Sequence, residues 1–209
     1  MKSIAIFVEG GGATHRSGQD RLRQGFEALL DKQKAAARQR RLRWQLGLYG
    51  TRNETFKAFR DATTKQQVDL AVLLVDSEDP VTDSTPDGRV AHLNTRDGWS
   101  FENVDATRVH LMTQCMETWI VADPDRLKEF YGQRFHESAL PRRSVLDEEP
   151  KASLYSALDA ATKDTQKGRY GKIRHASELL KRVRPSVVAA RCTSFQRLIQ
   201  WLDAAIAVA

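Results

Sequence analysis

Along the chain, short unbroken apolar runs take turns with segments of helical spacing. The first run, over 3–8, is apolar after Ser3 and delivers Glu9 into three glycines, Gly10, Gly11 and Gly12. So short and continuous a run predicts a central parallel strand covered on both faces. Leu22, Phe26, Leu29 and Leu30 then share one helical face, with Ser17 as the expected N-cap and Asp20 three places on. A polar, basic extension continues that helix over 32–38. A second strand over 44–49 closes at Gly50, and Thr51 or Asn53 caps a helix carrying Phe56, Phe59 and Ala62. A third strand over 68–75 ends at Asp76-Ser77-Glu78-Asp79. The order βαβαβ, with right-handed crossovers, predicts a parallel sheet with helices on both faces.

The next stretch, 79–105, holds Pro80, Pro86 and the turn signals Asp87-Gly88 and Asp97-Gly98. It is expected to be an irregular lid or substrate-contact loop at the acidic end of strand three. A fourth strand is expected over 109–113 and a short helix over 114–121. Asp123-Pro124 opens another helix, with Asp123 as its cap. Beyond Pro141, amphipathic patterns run over 151–163, 174–183 and 194–208. The expected organisation is an α/β domain over 1–140, with a sheet of about four strands, and a helical extension over 141–209 packed on it.

Candidate chemistry sits at the strand ends. In a βαβαβ sheet Glu9, Asp76 and Glu78 fall on the same carboxyl edge, and strand alternation puts Asp76 and Glu78 on one side with Ser77 turned away. Three carboxylates on one edge repel unless a cation or proton lies between them. Oxygen ligands without His or Cys select hard cations, Mg²⁺ or Mn²⁺, which bind phosphate and activate water. The alternative is that acids merely solubilise the edge, which is the reading taken for Asp79. The glycine triplet lacks the Lys-Ser/Thr of a P-loop and the spacing of GxGxxG, so it is read as giving close access to the metal. His15 and Arg16 lie in the same loop and could touch a phosphate, although a lone loop histidine such as His15 is more often simply solvated. Glu117, set among Met116, Trp119 and Ile120, needs a partner: either the metal, as a fourth ligand, or an arginine.

Charge adds a second theme. The 209 residues carry a net charge of +6, concentrated over 32–43 and 163–191. Such a balance suits a polyanion such as nucleic acid, or simply a solvated surface. Lys167, Arg169, Tyr170, Lys172, Arg174 and His175 are the expected nucleic-acid contacts, with Tyr170 stacking on a base and His175 serving as a general acid or relaying a proton. The competing reading is a basic loop at a helix start. Cys115 and Cys192 have no CxxC neighbour, which argues against zinc or a disulfide framework. No apolar run approaches the roughly 20 residues that span a bilayer. The first strand is too short and acid-ended for a signal peptide, so the expected compartment is the cytoplasm.

Val8-Glu9-Gly10 at one strand end and Asp76-Ser77-Glu78 at a later one resemble the Toprim domain of topoisomerases, primases and overcoming-lysogenisation-defect-type nucleases. The resemblance implies a Toprim/Rossmann-like fold in which Glu9, Asp76 and Glu78 bind Mg²⁺ or Mn²⁺ for phosphodiester hydrolysis of DNA or RNA. Glu78 stands where the Toprim pattern has Asp. Those residues, together with 110–119, Ala122-Asp123-Pro124 and 167–175, are more closely similar to a bacterial Toprim-like family often encoded beside an ABC- or AAA-type ATPase. Gly171 stands where that family has histidine. This likeness implies an ATPase partner and a setting in phage defence. The rival expectation is a non-catalytic adaptor subunit of an ATPase complex.

Overall fold

The structure, a computed structural model, describes residues 2–10 and 16–209, the side chains of Arg16 and Ser17 excepted. The strands are β1 (Ser3–Glu9), β2 (Arg43–Tyr49), β3 (Leu70–Asp76) and β4 (Val109–Met112). They form one parallel sheet in the order β2-β1-β3-β4. The register sets Val8 against Leu74 and Asp76 against Met112. Because side chains alternate along a strand, each central strand feeds two cores. Ile4, Ile6, Val8, Val72 and Leu74 pack on one face, and Ala5, Phe7, Leu73 and Val75 on the other.

The first face is covered by α1 (Arg16–Leu29), α8 (Lys172–Leu180) and α10 (Thr193–Val208), through Leu22, Phe26, Leu179 and Phe195. The C-terminal helices therefore share an apolar cluster with β1 and β3. Between them lie α2 (Asp31–Gln39), α5 (Glu117–Val121), α6 (Pro124–Tyr131), α7 (Lys151–Thr162) and α9 (Pro185–Arg191). The second face is covered by α3 (Arg52–Thr64) and α4 (Pro86–Asp97), through Phe56, Phe59 and Leu93. No helix among the described residues is long and apolar enough to cross a membrane.

Thr51 closes a full capping box with Glu54 at the start of α3. The expected irregular segment over 79–105 is instead built around α4. Thr85 caps it, Pro86 occupies its first turn and Gly98 ends it at a left-handed φ of 68°. The Asp-Gly pairs that read as turns are a helix beginning and a helix end. Asp123 does occupy the N-cap position of α6, but its side chain makes no capping bond. It is fully buried and takes three hydrogen bonds from Arg184, at 2.6, 2.8 and 2.9 Å. Burial favours its neutral form, but those bonds outweigh burial and hold its carboxyl below the usual range.

Candidate metal centre

Strand order decides what the acidic ends can do. β1 lies between β2 and β3, so successive crossovers from it run to opposite sides. The crevice at the carboxyl ends of β1 and β3 is therefore a topological switch point, the usual ligand position in open α/β sheets. Glu9 ends β1 and Asp76 ends β3, and the Asp76 N–H donates to Glu9 Oε2 at 3.3 Å. Glu78 joins them by a different route from the expected one. The strand stops at Asp76, and Glu78 turns in with a φ of 66°. Its N–H donates to the Gln114 carbonyl at 2.8 Å. A non-glycine residue held in that left-handed region is locally strained, a feature that clusters at functional sites.

Carboxylate oxygens of Glu9, Asp76 and Glu78 lie within 4.8 Å of one another. Oxygens bound to one Mg²⁺ stand at most about 4.2 Å apart, twice the metal–oxygen distance, so a small inward shift of these side chains would bring them onto one ion. The three carboxylates could therefore hold a metal ion, and an oxygen-only donor set suits a hard cation.

Each acid also has a cation from the chain itself. Arg52, just past the carboxyl end of β2, reaches Glu9 at 2.9 Å and Asp97 at 2.7 Å. Lys151, at the start of α7, pairs with Glu78. Lys172, at the start of α8, lies 3.7 Å from Asp76 and 4.0 Å from Glu117. Burial raises the Glu9 carboxyl above its ordinary range against the pull of Arg52. The same cause raises Asp76 further, to about 7: burial dominates, Lys172 opposes it, and the charges of Glu117 and Glu9 add to it.

Glu117 is fully buried. Its Oε1 accepts from the Tyr170 hydroxyl at 3.0 Å, and its Oε2 has no hydrogen-bond partner. Among the described residues no arginine pairs with it: it faces a tyrosine and a lysine, and it is not one of the three carboxylates gathered within 4.8 Å. It lies behind Asp76 across Lys172, so its charge bears on the site indirectly.

The basic segment does not act as one surface. Arg169 turns outward to Asp159. Tyr170 and Lys172 turn inward to the acids, so Tyr170's hydroxyl is committed to Glu117 and not offered to a base. His175 is only 7% exposed, with its Nδ1 facing the Gly171 N–H at 3.1 Å and the Tyr131 hydroxyl at 3.2 Å. Burial, with the charges of Arg174 and Lys167, lowers its pKa. A general-acid role does not suit a ring so enclosed. Lys167, over the Phe130 ring at 4.8 Å, and Arg174 remain at the surface.

Gly10 is held by packing: a Cβ there would meet Leu22 Cδ2 at 2.7 Å. Gly11, Gly12 and His15 lie outside the described residues, as does the Arg16 side chain. Arg52, Asp97 and Lys151 were missed in the sequence. For Arg52 there was one usable signal, its place directly after a strand-ending glycine and a cap.

A family described as a domain of unknown function, DUF4276, matches residues 8–203. No curated protein and no solved structure matches the chain.

Proposed function

The chain belongs to the DUF4276 family, and from that premise we propose that it is a divalent-metal-dependent nuclease hydrolysing phosphodiester bonds of DNA or RNA. The observation that carries this reading is the convergence of Glu9, Asp76 and Glu78 at the β1/β3 switch point. Mg²⁺ or Mn²⁺ on these carboxylates would supply positive charge to a phosphate and acidify a water. The chain's own groups supply the rest. Arg52 ties Glu9 to α4 through Asp97 and also donates to the Asp76 carbonyl, which holds the two strand ends together. Tyr170 fixes Glu117, and Glu117 with Asp76 holds the Lys172 ammonium at the mouth of the site. Burial opposes the charge on Lys172, but these carboxylates prevail and raise its pKa, so it stays cationic. Lys172 and Lys151 are the side chains placed to meet a phosphate once a metal takes over the carboxylates. Lys167 and Arg174 extend that positive surface toward the strand. The resemblance to Toprim proteins encoded beside ABC- or AAA-type ATPases supports an ATPase partner and a role in phage defence.

The test is incubation of the purified protein with plasmid, single-stranded DNA and transfer RNA, with and without Mn²⁺. Metal-dependent cleavage that disappears in the Glu9→Ala/Asp76→Ala variant supports the proposal, and cleavage unchanged in that variant sinks it.

A second reading has its own support. Arg52, Lys172 and Lys151 already compensate the three acids one for one. On that reading the edge needs no metal, and the protein is an adaptor subunit of an ATPase complex. Calorimetric titration with Mg²⁺ and Mn²⁺ separates the two, since the adaptor reading predicts no binding that depends on Asp76.

A further inference from the structure

The two edges of the sheet are finished differently. β4 is four residues long, and Arg89 of α4 donates to its Val109 carbonyl at 2.6 Å. A short strand met by a charged side chain is a common way to blunt an edge. β2, at the other edge, runs for seven residues and pairs in unbroken register with β1 alone. It contains no proline and no bulge. The Arg43 N–H donates to the Lys2 carbonyl, and the Tyr49 carbonyl accepts from Gly10. Alternation along the strand then turns the backbone groups of residues 43, 45, 47 and 49 to β1. Those of Trp44, Leu46 and Leu48 point outward, and none of them has a partner among the described residues. Trp44 and Leu48 are partly exposed. On the second face, α3 leaves a groove of about 440 Å³ along β2, lined by Arg43, Gln45, Gly47, Tyr49, Ala62 and Val68. Every second side chain of a strand added beyond β2 would lie beside it.

The approach to this edge is strongly basic. Residues 32–43 include Lys32, Lys34, Arg38, Arg40, Arg41 and Arg43 and no acid. All but Lys34 are exposed. Lys34 pairs with Glu27, and Arg40 donates to the Ala207 carbonyl at 2.8 Å. The side chains of Lys32, Arg38 and Arg41 make no hydrogen bond or ion pair among the described residues. Charges that protect an edge sit on the strand itself. Apart from Arg43, these precede it, on α2 and the turn after it. They gather at the amino end of β2, whereas the acids of the metal centre lie at the carboxyl ends of β1 and β3.

We propose that the outer edge of β2 docks an extended acidic segment of a partner protein, which joins the sheet as a fifth strand. The outward N–H and C=O groups alternate as a second peptide backbone requires, and nucleic acid has no matching pattern. The basic residues at the entry to the strand complement acidic side chains on the segment. A second copy of the chain, itself at a net charge of +6, would bring charge of the same sign to this edge. The proposal does not depend on the metal centre and stands with either reading of it.

The test is fluorescence anisotropy on the full-length protein, without divalent cations, using a labelled peptide of alternating Glu and Val. A second peptide has the same sequence with its backbone amides N-methylated, which keeps the charge and removes the donors. Wild type is expected to bind the first peptide, and the second about tenfold or more weakly. Arg38→Glu/Arg41→Glu is expected to weaken the first peptide by about tenfold or more, through charge. Its melting temperature checks that it folds, since neither side chain holds a structural contact. The proposal is overturned by absence of binding of the first peptide to wild type, or by equal binding of the two peptides. Equal binding of the first peptide to wild type and variant overturns it too. Sedimentation showing a dimer that binds no peptide would give the edge to a second copy. A single-stranded oligonucleotide that prefers wild type to the variant, where the peptide does not, would give the arginines to nucleic acid. Either result also overturns the proposal.

Discussion

The acidic strand ends and the basic segment over 167–175 invite the same treatment as linear strings, yet they fold to opposite outcomes. Glu9 and Asp76 are 67 residues apart in the chain and meet, because parallel register puts the ends of β1 and β3 side by side. Lys167 to His175 span nine positions and scatter. A loop leading into a helix sends Arg169 outward, Tyr170 and Lys172 toward the acids, and His175 into the core. A strand end aims its residues with the precision of the sheet. A run of like residues through a loop has no common direction. Four of the basic segment's six candidates are thereby explained by contacts within the protein, and two of those contacts serve the acidic site.

If this contrast is right, the largest effect belongs to the strand ends. Glu9→Ala/Asp76→Ala is expected to lower Mn²⁺-dependent cleavage by about a thousandfold or more, measured as initial rate on a labelled strand. Arg169→Ala, in the basic segment, is expected to leave that rate at the wild-type level.

The second test uses stability. A carboxyl whose folded pKa is about 7, against an ordinary value of 3.8, binds its proton more tightly when folded. Its contribution to stability is fully present below about pH 4 and is lost as pH rises through 7. Asp76→Asn is therefore expected to stabilise the metal-free protein at pH 8 by up to about 4 kcal/mol, and by little at pH 4. Urea melts in EDTA at the two pH values measure this. A loss of stability at pH 8 would mean that the ion pair with Lys172 outweighs burial.

Tyr170→Phe sharpens the comparison from the other side. It removes the 3.0 Å hydrogen bond to the buried Glu117 carboxylate, and is expected to cost about 1–3 kcal/mol in the same melts. No change would mean that Tyr170 faces a substrate and not Glu117. Gly10→Ala sets a Cβ against the side-chain ends of Leu22 and Leu48, which can give way, and is expected to cost about 1 kcal/mol or less while leaving metal affinity intact.

Much of the fold was legible in the amino-acid sequence, for physical reasons that also mark its limits. The runs at 3–8 and 70–75 read as buried parallel strands because they are short, unbroken and apolar, and each ends in acids and turn residues. The helix over 86–97 did not, because its polar residues and two Asp-Gly pairs imitate turns. Its start and stop signals are Pro86 and Gly98, each of which also belongs to a turn pattern. Of the candidate site, the three acids were visible from their place at strand ends. Their cations were not: Lys151 and Lys172 arrive from helices 73 residues beyond Glu78 and 96 beyond Asp76. No local pattern reports a contact of that separation. Asp123 shows the same limit: it stands at the N-cap position as its local pattern says, but its side chain goes to Arg184, 61 residues on.

The account stands on Glu9, Asp76 and Glu78 acting together on one ion. Its most direct test is Mn²⁺ titration followed by electron paramagnetic resonance, which counts free Mn²⁺, on wild type and Asp76→Asn. One saturable site in wild type, weakened by about tenfold or more in the variant even as its metal-free stability rises, is the predicted result. Equal Mn²⁺ binding by the two proteins, or none by either, would contradict it.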